Sequence, residues 1–312
     1  MMLTSSRNLL RQATKILPIQ ATAINYKFAR QAPHRTPFQS DTRGEKYTPT
    51  KEEERIMMDT AIPKGPTADE LITKDASLNS FMAKIYTTTG LSVASSLGIS
   101  YLLATSPLVY THPFLLTFGG LAASITGIIA FNAMSPIIKR EYVSGQLIER
   151  WENSIPRKLA FATIIAGSGV MISPFMNAIM ALNPGIIPMA VGLSFLVMGG
   201  SSIYSLKKPL GHFKTWESTL AGGLIGLVGM NLLSILFHAI MGPNVFSYAC
   251  SKVDLYIGLG LFSAFQAFDT QKAVRDFRSG RYDHLTHVIS FFLNFKNLFV
   301  RIVEILARNS RD

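Results

Sequence analysis

Three stretches of this chain contain no Asp, Glu, Lys or Arg at all: Ile85–Ile138 (54 residues), Leu159–Leu206 (48) and Ser218–Ser251 (34). A helix that crosses a bilayer needs roughly 20 predominantly apolar residues. The first two stretches therefore each hold two such helices and a short turn, and the third holds one helix and the start of another. The pattern predicts seven spans, at about 85–106, 113–135, 158–181, 185–206, 216–241, 247–270 and 286–307. The fold class expected is all-α: a polytopic membrane protein of three helical hairpins followed by a seventh helix. Composition agrees, because 16% of the residues are charged and 48% hydrophobic, whereas soluble domains carry about a quarter charged residues.

The connections between the spans differ sharply in charge. Those after spans two, four and six contain Lys139, Arg140, Arg150, Arg157 and Lys158, then Lys207, Lys208 and Lys214, then Lys272, Arg275, Arg278 and Arg281; those after spans one, three and five contain no basic residue. The positive-inside rule places the N-terminus and the basic linkers on one side of the membrane. The other turns carry breakers: Pro107 and Pro113, Asn183-Pro184-Gly185, and Gly242-Pro243. The formal net charge of +11 is thus a matter of topology, and nucleic acid is not an expected partner. Gly199, Gly200, Gly222 and Gly226 lie inside apolar spans with no Lys-Ser/Thr after them. Close helix packing is expected there, not a phosphate loop.

The first 40 residues carry Arg7, Arg11, Lys15, Lys27, Arg30 and Arg35 and no acid. On a helix Arg7, Arg11 and Lys15 fall within an arc of ~80°, with Leu3, Leu9, Leu10, Ala13, Ile16 and Leu17 on the other side. A basic, acid-free amphipathic start reads as a mitochondrial transit peptide over about 1–31; a basic tail or a membrane-surface helix is the alternative. Residues 32–80 read as a mostly disordered, matrix-side linker with a short helix around Glu52–Asp59, and 81–312 as the membrane domain. The single cysteine, Cys250, excludes an intrachain disulfide framework and a CxxC pair.

A polar group inside a span needs a partner or water, so the few present are the candidates for function. They are Asn177 in span three, Asn231 and His238 in span five, Asp254 and Asp269 in span six, and Asn294, Lys296, Asn297, Arg301 and Glu304 in span seven. Asp254 and Asp269 stand ~22 Å apart along one helix and cannot form a carboxylate pair. Asp254 is expected near the outer face, solvated or ion-paired. For Asp269 two readings stay open: a helix-end carboxylate neutralised by a nearby base, or a functional acid. Asn294, Asn297 and Arg301 share one face of span seven, and Glu304, three residues on, is placed to neutralise Arg301. His284 and His287 beside Asp283 mark the start of an interfacial helix in preference to a metal site. No HExxH, GxSxG or Walker loop occurs, so an enzyme is not expected, nor any cofactor.

The run from Asp254 through Gly258 and Gln266-Ala-Phe-Asp269-Thr-Gln-Lys272, followed by Tyr282-Asp283 and Phe291-Phe-Leu-Asn294-Phe-Lys-Asn297-Leu-Phe299, resembles the end of the Bax-inhibitor (transmembrane Bax-inhibitor-motif) family. Asn183-Pro184-Gly-Ile-Ile-Pro188 and the seven-helix pattern are similar to that family too, and the transit-like start points to its mitochondrial branch. The resemblance implies a helical inner-membrane protein that conducts calcium or exchanges it for protons, with a cytoprotective role. It also implies a pH-sensing pair of aspartates on spans six and seven. The first maps onto Asp269; the second maps onto Asn294, an amide. A span-three carboxylate of some members maps onto Asn177.

Two close carboxylates share a proton because both cannot ionise cheaply; an Asn removes that coupling while keeping an oxygen for a cation. The expected ion pathway or pH-sensing residues are therefore Asp269, Asn294 and Asn177, with Asp254, Arg301, Glu304 and Asn297 in support, and weakened pH gating. The expected partners are the lipid bilayer, calcium and protons, and inner-membrane proteins. The alternative is a non-transporting inner-membrane scaffold in cristae organisation, complex assembly or apoptosis regulation, in which the packing skeleton outlasts the acidic ligands.

Overall fold

A computed structural model of the chain describes residues 67–143, 146–242 and 245–310. The transit segment, the helix expected at Glu52–Asp59 and most of the 32–80 linker lie outside the described residues. The described chain runs α1 (Ala68–Lys74), α2 (Ala76–Ala104), α3 (Leu108–Thr111), α4 (Pro113–Ala133), β1 (Ile137–Val143), β2 (Gln146–Glu152), α5 (Ile155–Leu182), α6 (Ile186–Leu206), a 3₁₀ turn His212–Thr215, α7 (Trp216–Met241), α8 (Val245–Arg278) and α9 (His284–Asn309). Each of the seven apolar segments forms one long helix. Three of these helices are long and apolar enough to cross a membrane: α4, α5 and α6, at mean hydropathies of 2.0, 1.8 and 1.8. The protein is a mostly helical membrane protein.

Two expectations need correction. The linker to residue 80 was expected to be irregular, but its end is helical. Asp75 caps α2 by accepting from the backbone N–H of Ser77 (3.0 Å) and Leu78 (3.2 Å), so α2 starts well before the charge-free stretch. The fold is also not purely helical. The basic segment after α4 is an antiparallel ribbon with Ile138 opposite Trp151, Lys139 opposite Arg150 and Val143 opposite Gln146. The two strands contain Ile137, Ile138, Tyr142, Val143, Ile148 and Trp151, the β-branched and aromatic types that favour strands. Lys139 Nζ pairs with Glu152 at 2.8 Å, which offsets the facing cations.

α9 occupies the middle of the bundle and packs on α2, α5, α6 and α8. Phe291, Phe292, Leu298 and Phe299 are at most 2% exposed. The outer helices show the reverse: Phe114 of α4, Leu196 of α6 and Ile225 of α7 are each more than 70% exposed. Large apolar side chains turned outward in this number suit lipid, where a soluble protein would keep such patches small.

Helix packing is tightest where glycines let backbones touch, and those are not the glycines expected. Gly199, Gly200, Gly222 and Gly226 have open space where a Cβ would stand. Backbone close approaches include Gly120 of α4 against Gly167 of α5, and Gly169 of α5 against Ser96 O of α2. A Cβ on Gly120 would sit 2.6 Å from Gly167 O, and one on Gly167 would sit 2.8 Å from both Gly120 O and Ser124 N. Ser124 Oγ meets Ser168 Oγ at 3.3 Å in the same seam. Small residues here bring two backbones into van der Waals contact, the chief attraction available between helices in lipid. Val at position 120 or 167 should cost ~1–3 kcal/mol or more through overpacking. Thermal unfolding in detergent should show a clearly lower Tm for Gly120→Val and Gly167→Val and little change for Gly200→Ala and Gly222→Ala. Equal effects in the two sets would refute this seam.

Candidate functional site

α8 and α9 run antiparallel, and the polar residues expected to matter lie along their contact in two clusters. In the first, Asn294 of α9 donates from Nδ2 to Asp269 Oδ2 of α8 at 2.8 Å. Both are buried, at 5% and 8% exposed. The same amide reaches Gln266 Oε1 at 3.4 Å. Gln266 Nε2 in turn donates to Ser202 Oγ of α6 at 3.0 Å, and Ser202 Oγ meets Thr270 Oγ1 at 3.0 Å. Thr270 donates back to Gln266 O at 2.8 Å. Three helices thus share one buried polar group in which nearly every donor has an acceptor. The buried hydroxyl of Tyr86 on α2 faces Ser202 and Thr270 of the same group.

Asp269 and Asn294, the positions that the family resemblance pairs, meet. Of the two readings left open for Asp269, the geometry gives it an uncharged amide as its direct hydrogen-bond partner. Gln266 and Thr270 are additional residues that helical spacing reveals in retrospect: they are four apart on one face of α8, and Asp269, three residues after Gln266, borders that face. Ser202 carries no signal, being one of several serines on an apolar helix. Gln271 is a separate fastening. Its Nε2 donates to Ser205 O (2.9 Å), Lys208 O (3.2 Å) and Pro209 O (3.2 Å), and Gly211 N donates to its Oε1 (3.3 Å). It ties α8 to the turn after α6, where Gly211 takes a positive φ of 96°.

The second cluster lies further toward the N-terminus of α8. Arg301 Nη2 donates to Asp254 Oδ1 at 3.0 Å and its Nε to Asp254 O at 3.2 Å. Asn231 Nδ2 of α7 donates to the same Oδ1 at 2.8 Å. Asn297 accepts from Arg301 Nη1 at its Oδ1, 3.2 Å away. The Arg301 guanidinium rests against the bare Cα of Gly258 and 4.9 Å from the centre of the Phe262 ring. Of the two readings of Asp254, ion pairing holds. Glu304 does not neutralise Arg301; it pairs with Arg308 one turn on, at 2.5 Å, because Arg301 is already committed across the interface. Asn177 is not in either cluster. Its Nδ2 donates to Ala104 O (2.8 Å) and Tyr110 Oη (3.1 Å), closing the turn between α2 and α4, so the matched position on α5 serves packing and not the Asp269 site.

A third cluster, outside the spans, was not anticipated. Arg157 at the start of α5 is 3% exposed, and it holds Asp283 through Nη1–Oδ1 (3.0 Å) and Nη2–Oδ2 (2.6 Å). Asn153 and Thr286 accept from the same guanidinium, and its carbon lies 4.0 Å over the Phe131 ring. Burial pushes the Asp283 carboxyl up, but the hydrogen bonds from Arg157 and Thr286 and the charge of Arg157 outweigh it, so the group stays below the usual carboxylate range. Burial, aided by nearby Lys84, pulls His284 down to about 4.

Comparison with known proteins supports this layout. Residues 78–311 match the family model described as inhibitor of apoptosis-promoting Bax1. Human Bax inhibitor 1 is 30% identical over 150 residues, covering 46% of this chain and 58% of that protein. The bovine protein of the same name is 29% identical over 148 residues (46% and 58%), and that of Drosophila melanogaster 28% over 141 (45% and 54%). The chain thus spans less than two thirds of the curated relatives it matches.

Two outcomes are expected. Asp283→Ala leaves the Arg157 cation buried and unpaired, which should cost ~3–5 kcal/mol and lower Tm substantially. Because the folded carboxyl titrates below its unfolded value, the stability it supplies is full above the unfolded pKa and is lost as pH falls through the folded one. Tm scans should therefore converge for wild type and Asp283→Ala at low pH; a constant gap would contradict the assignment. Gly258→Ala should push Arg301 off Asp254 and destabilise about as much as Arg301→Met, and a silent Gly258→Ala would show that this contact can yield freely.

Proposed function

The chain belongs to the Bax inhibitor family, and on that premise we propose that it is a non-enzymatic cation channel or cation–proton exchanger of the mitochondrial inner membrane, with calcium as the ion. In this reading all seven long helices span the bilayer, residues 1–31 are removed on import and the mature N-terminus lies in the matrix. The asymmetry of basic linkers supports that orientation, and the three charge-free stretches supply the apolar length for the first five spans and the start of the sixth.

The observation that carries the proposal is the buried bond between Asp269 and Asn294, backed by Gln266, Ser202 and Thr270. A carboxylate deep in a bundle is costly unless it is paired or functional. Behind its partner Asn294 stand Gln266, Ser202 and Thr270, whose amide and hydroxyl oxygens are of the donor type calcium takes. The ion would exchange for the hydrogen bonds that now hold the pair, with Asp269 supplying the only formal charge of the set. Because Asn294 brings no second acid, no proton is shared across the pair and pH dependence is shallow. Asp254 and Arg301 neutralise one another and hold α8 against α9.

The test is flux into liposomes loaded with a calcium dye, between pH 6 and 8. The expected result is uptake above that of empty vesicles, reduced about tenfold or more by Asp269→Asn with equal protein incorporation, and a steeper pH profile for Asn294→Asp. Absence of flux at every pH would reject transport, and superimposable profiles for wild type and Asn294→Asp would reject the role given to the amide. Topology is tested separately: on a Cys250→Ser background, single cysteines at 139 and 272 should label from the matrix side only, and one at 184 from the opposite side only.

A further inference from the structure

The three basic connections do not all commit their charge in the same way. In the first, Lys139 pairs with Glu152 and Arg157 with Asp283; in the third, Arg281 pairs with Asp276. The turn from α6 to α7 carries Lys207, Lys208 and Lys214 against one acid, Glu217. None of these lysines has a carboxylate within ion-pair distance among the described residues. The turn that presents them is nonetheless firmly built. Buried Gln271 holds the carbonyls of Ser205, Lys208 and Pro209, and Phe213, 2% exposed, packs against Leu220, Ala267 and Phe268. The exposed rings of Tyr204 and Trp216 flank Phe213, with ring centres 6.1 and 5.2 Å from it. The Lys208 ammonium lies 5.1 Å from the centre of the Tyr204 ring. Cations among exposed aromatic rings at the end of an apolar span are the composition of the headgroup level of a bilayer.

Lys207 also ends an apolar stripe. Leu196, Ile203 and Lys207 fall within an arc of ~40° around α6, and Leu196 and Ile203 are 71% and 57% exposed. An inorganic phosphate or an acidic peptide would meet the lysines and leave the stripe unused. A zwitterionic lipid would meet the stripe but bring its own cation against the lysines. We propose that the α6–α7 turn binds an anionic phospholipid, its headgroup phosphate held by Lys207, Lys208 and Lys214 and an acyl chain lying on the Leu196–Ile203 face of α6. Charge complementarity selects the headgroup, and because Gln271 already fixes the backbone, binding requires little further ordering of the turn. The inference rests on α6 crossing the bilayer, which its length and mean hydropathy of 1.8 support. It is independent of ion transport and of the side that the turn faces.

The full-length protein in phosphatidylcholine nanodiscs is irradiated with a trace of phosphatidylglycerol, or of phosphatidylcholine, bearing a diazirine in the same acyl chain. Adducts are mapped by peptide. Phosphatidylglycerol should label the Leu196–Ile203 peptide about tenfold or more above phosphatidylcholine, since each lysine near the surface contributes roughly fivefold to the affinity for acidic lipid. Lys207→Gln/Lys208→Gln/Lys214→Gln should bring that labelling down to the phosphatidylcholine level, and the corresponding triple arginine variant should keep it. Lys84→Gln/Lys158→Gln/Arg278→Gln removes the same charge elsewhere at the same end of the bundle and should leave the labelling nearly unchanged. All variants are compared at matched Tm and incorporation. Equal labelling by the two lipids, or an equal fall in the two glutamine variants, overturns the proposal. Full displacement by glycerol phosphate or by polyglutamate assigns the lysines to a soluble phosphate or an acidic peptide and overturns it likewise.

Discussion

The constraint on which this structure turns is the cost of leaving a polar group without a partner where water does not reach. Inside a bundle set in lipid, that cost falls on each amide, hydroxyl and charge separately. The chain meets it by gathering such groups onto the contact of α8 and α9. Asp269, Asn294, Gln266, Thr270 and Ser202 satisfy one another, and Asp254, Arg301, Asn297 and Asn231 do the same farther along. The remaining surface of the bundle is left free to be apolar, as the exposed side chains of α4, α6 and α7 are. The central position of α9 suits its composition: Asn294 and Arg301 find partners on α8 only where α9 is surrounded by other helices.

Much of this was legible from the amino-acid order. Absence of charge over a length of chain is a direct statement about solvent, so five of the long helices lie where the charge-free stretches put them, whereas α9 lies outside those stretches. Asp269 and Asn294 were legible as a pair through resemblance; their depth and mutual distance were not. The misjudged features share a cause. Glycine spacing shows where backbones could meet, but the choice of neighbour decides where they do, which is why Gly120 and Gly167 close a seam and Gly222 and Gly226 do not. Glu304 was assigned to Arg301 by spacing within one helix, whereas the nearer acid belonged to another. Asn177 shares a matched position with acids of the family but is consumed by Ala104 O and Tyr110. The Ile137–Glu152 ribbon lies in a segment whose basic residues speak to topology and not to strand pairing, so its charge pattern gave no sign of it.

Arg157 and Asp283 show how the aqueous end of the bundle is held. Their two-pronged contact joins the start of α5 to the start of α9 across a long interval of sequence. With Asp283 committed sideways, its side chain does not cap the backbone of α9; the carboxylate is spent on tertiary order in place of local helix stability.

The two clusters on α8 also restrict how the bundle can move. Asp254 and Asp269 are ~22 Å apart on one rigid helix, and each is bonded to a residue of α9, Arg301 and Asn294. Two fastenings on a common pair of helices oppose sliding of α9 along α8, because a shift by half a turn would break the short Asn294–Asp269 bond and stretch the Arg301–Asp254 pair. Packed helices change relative position by shear or by hinge, and shear at this interface carries the cost of remaking both contacts, so the two clusters act as a register lock between α8 and α9.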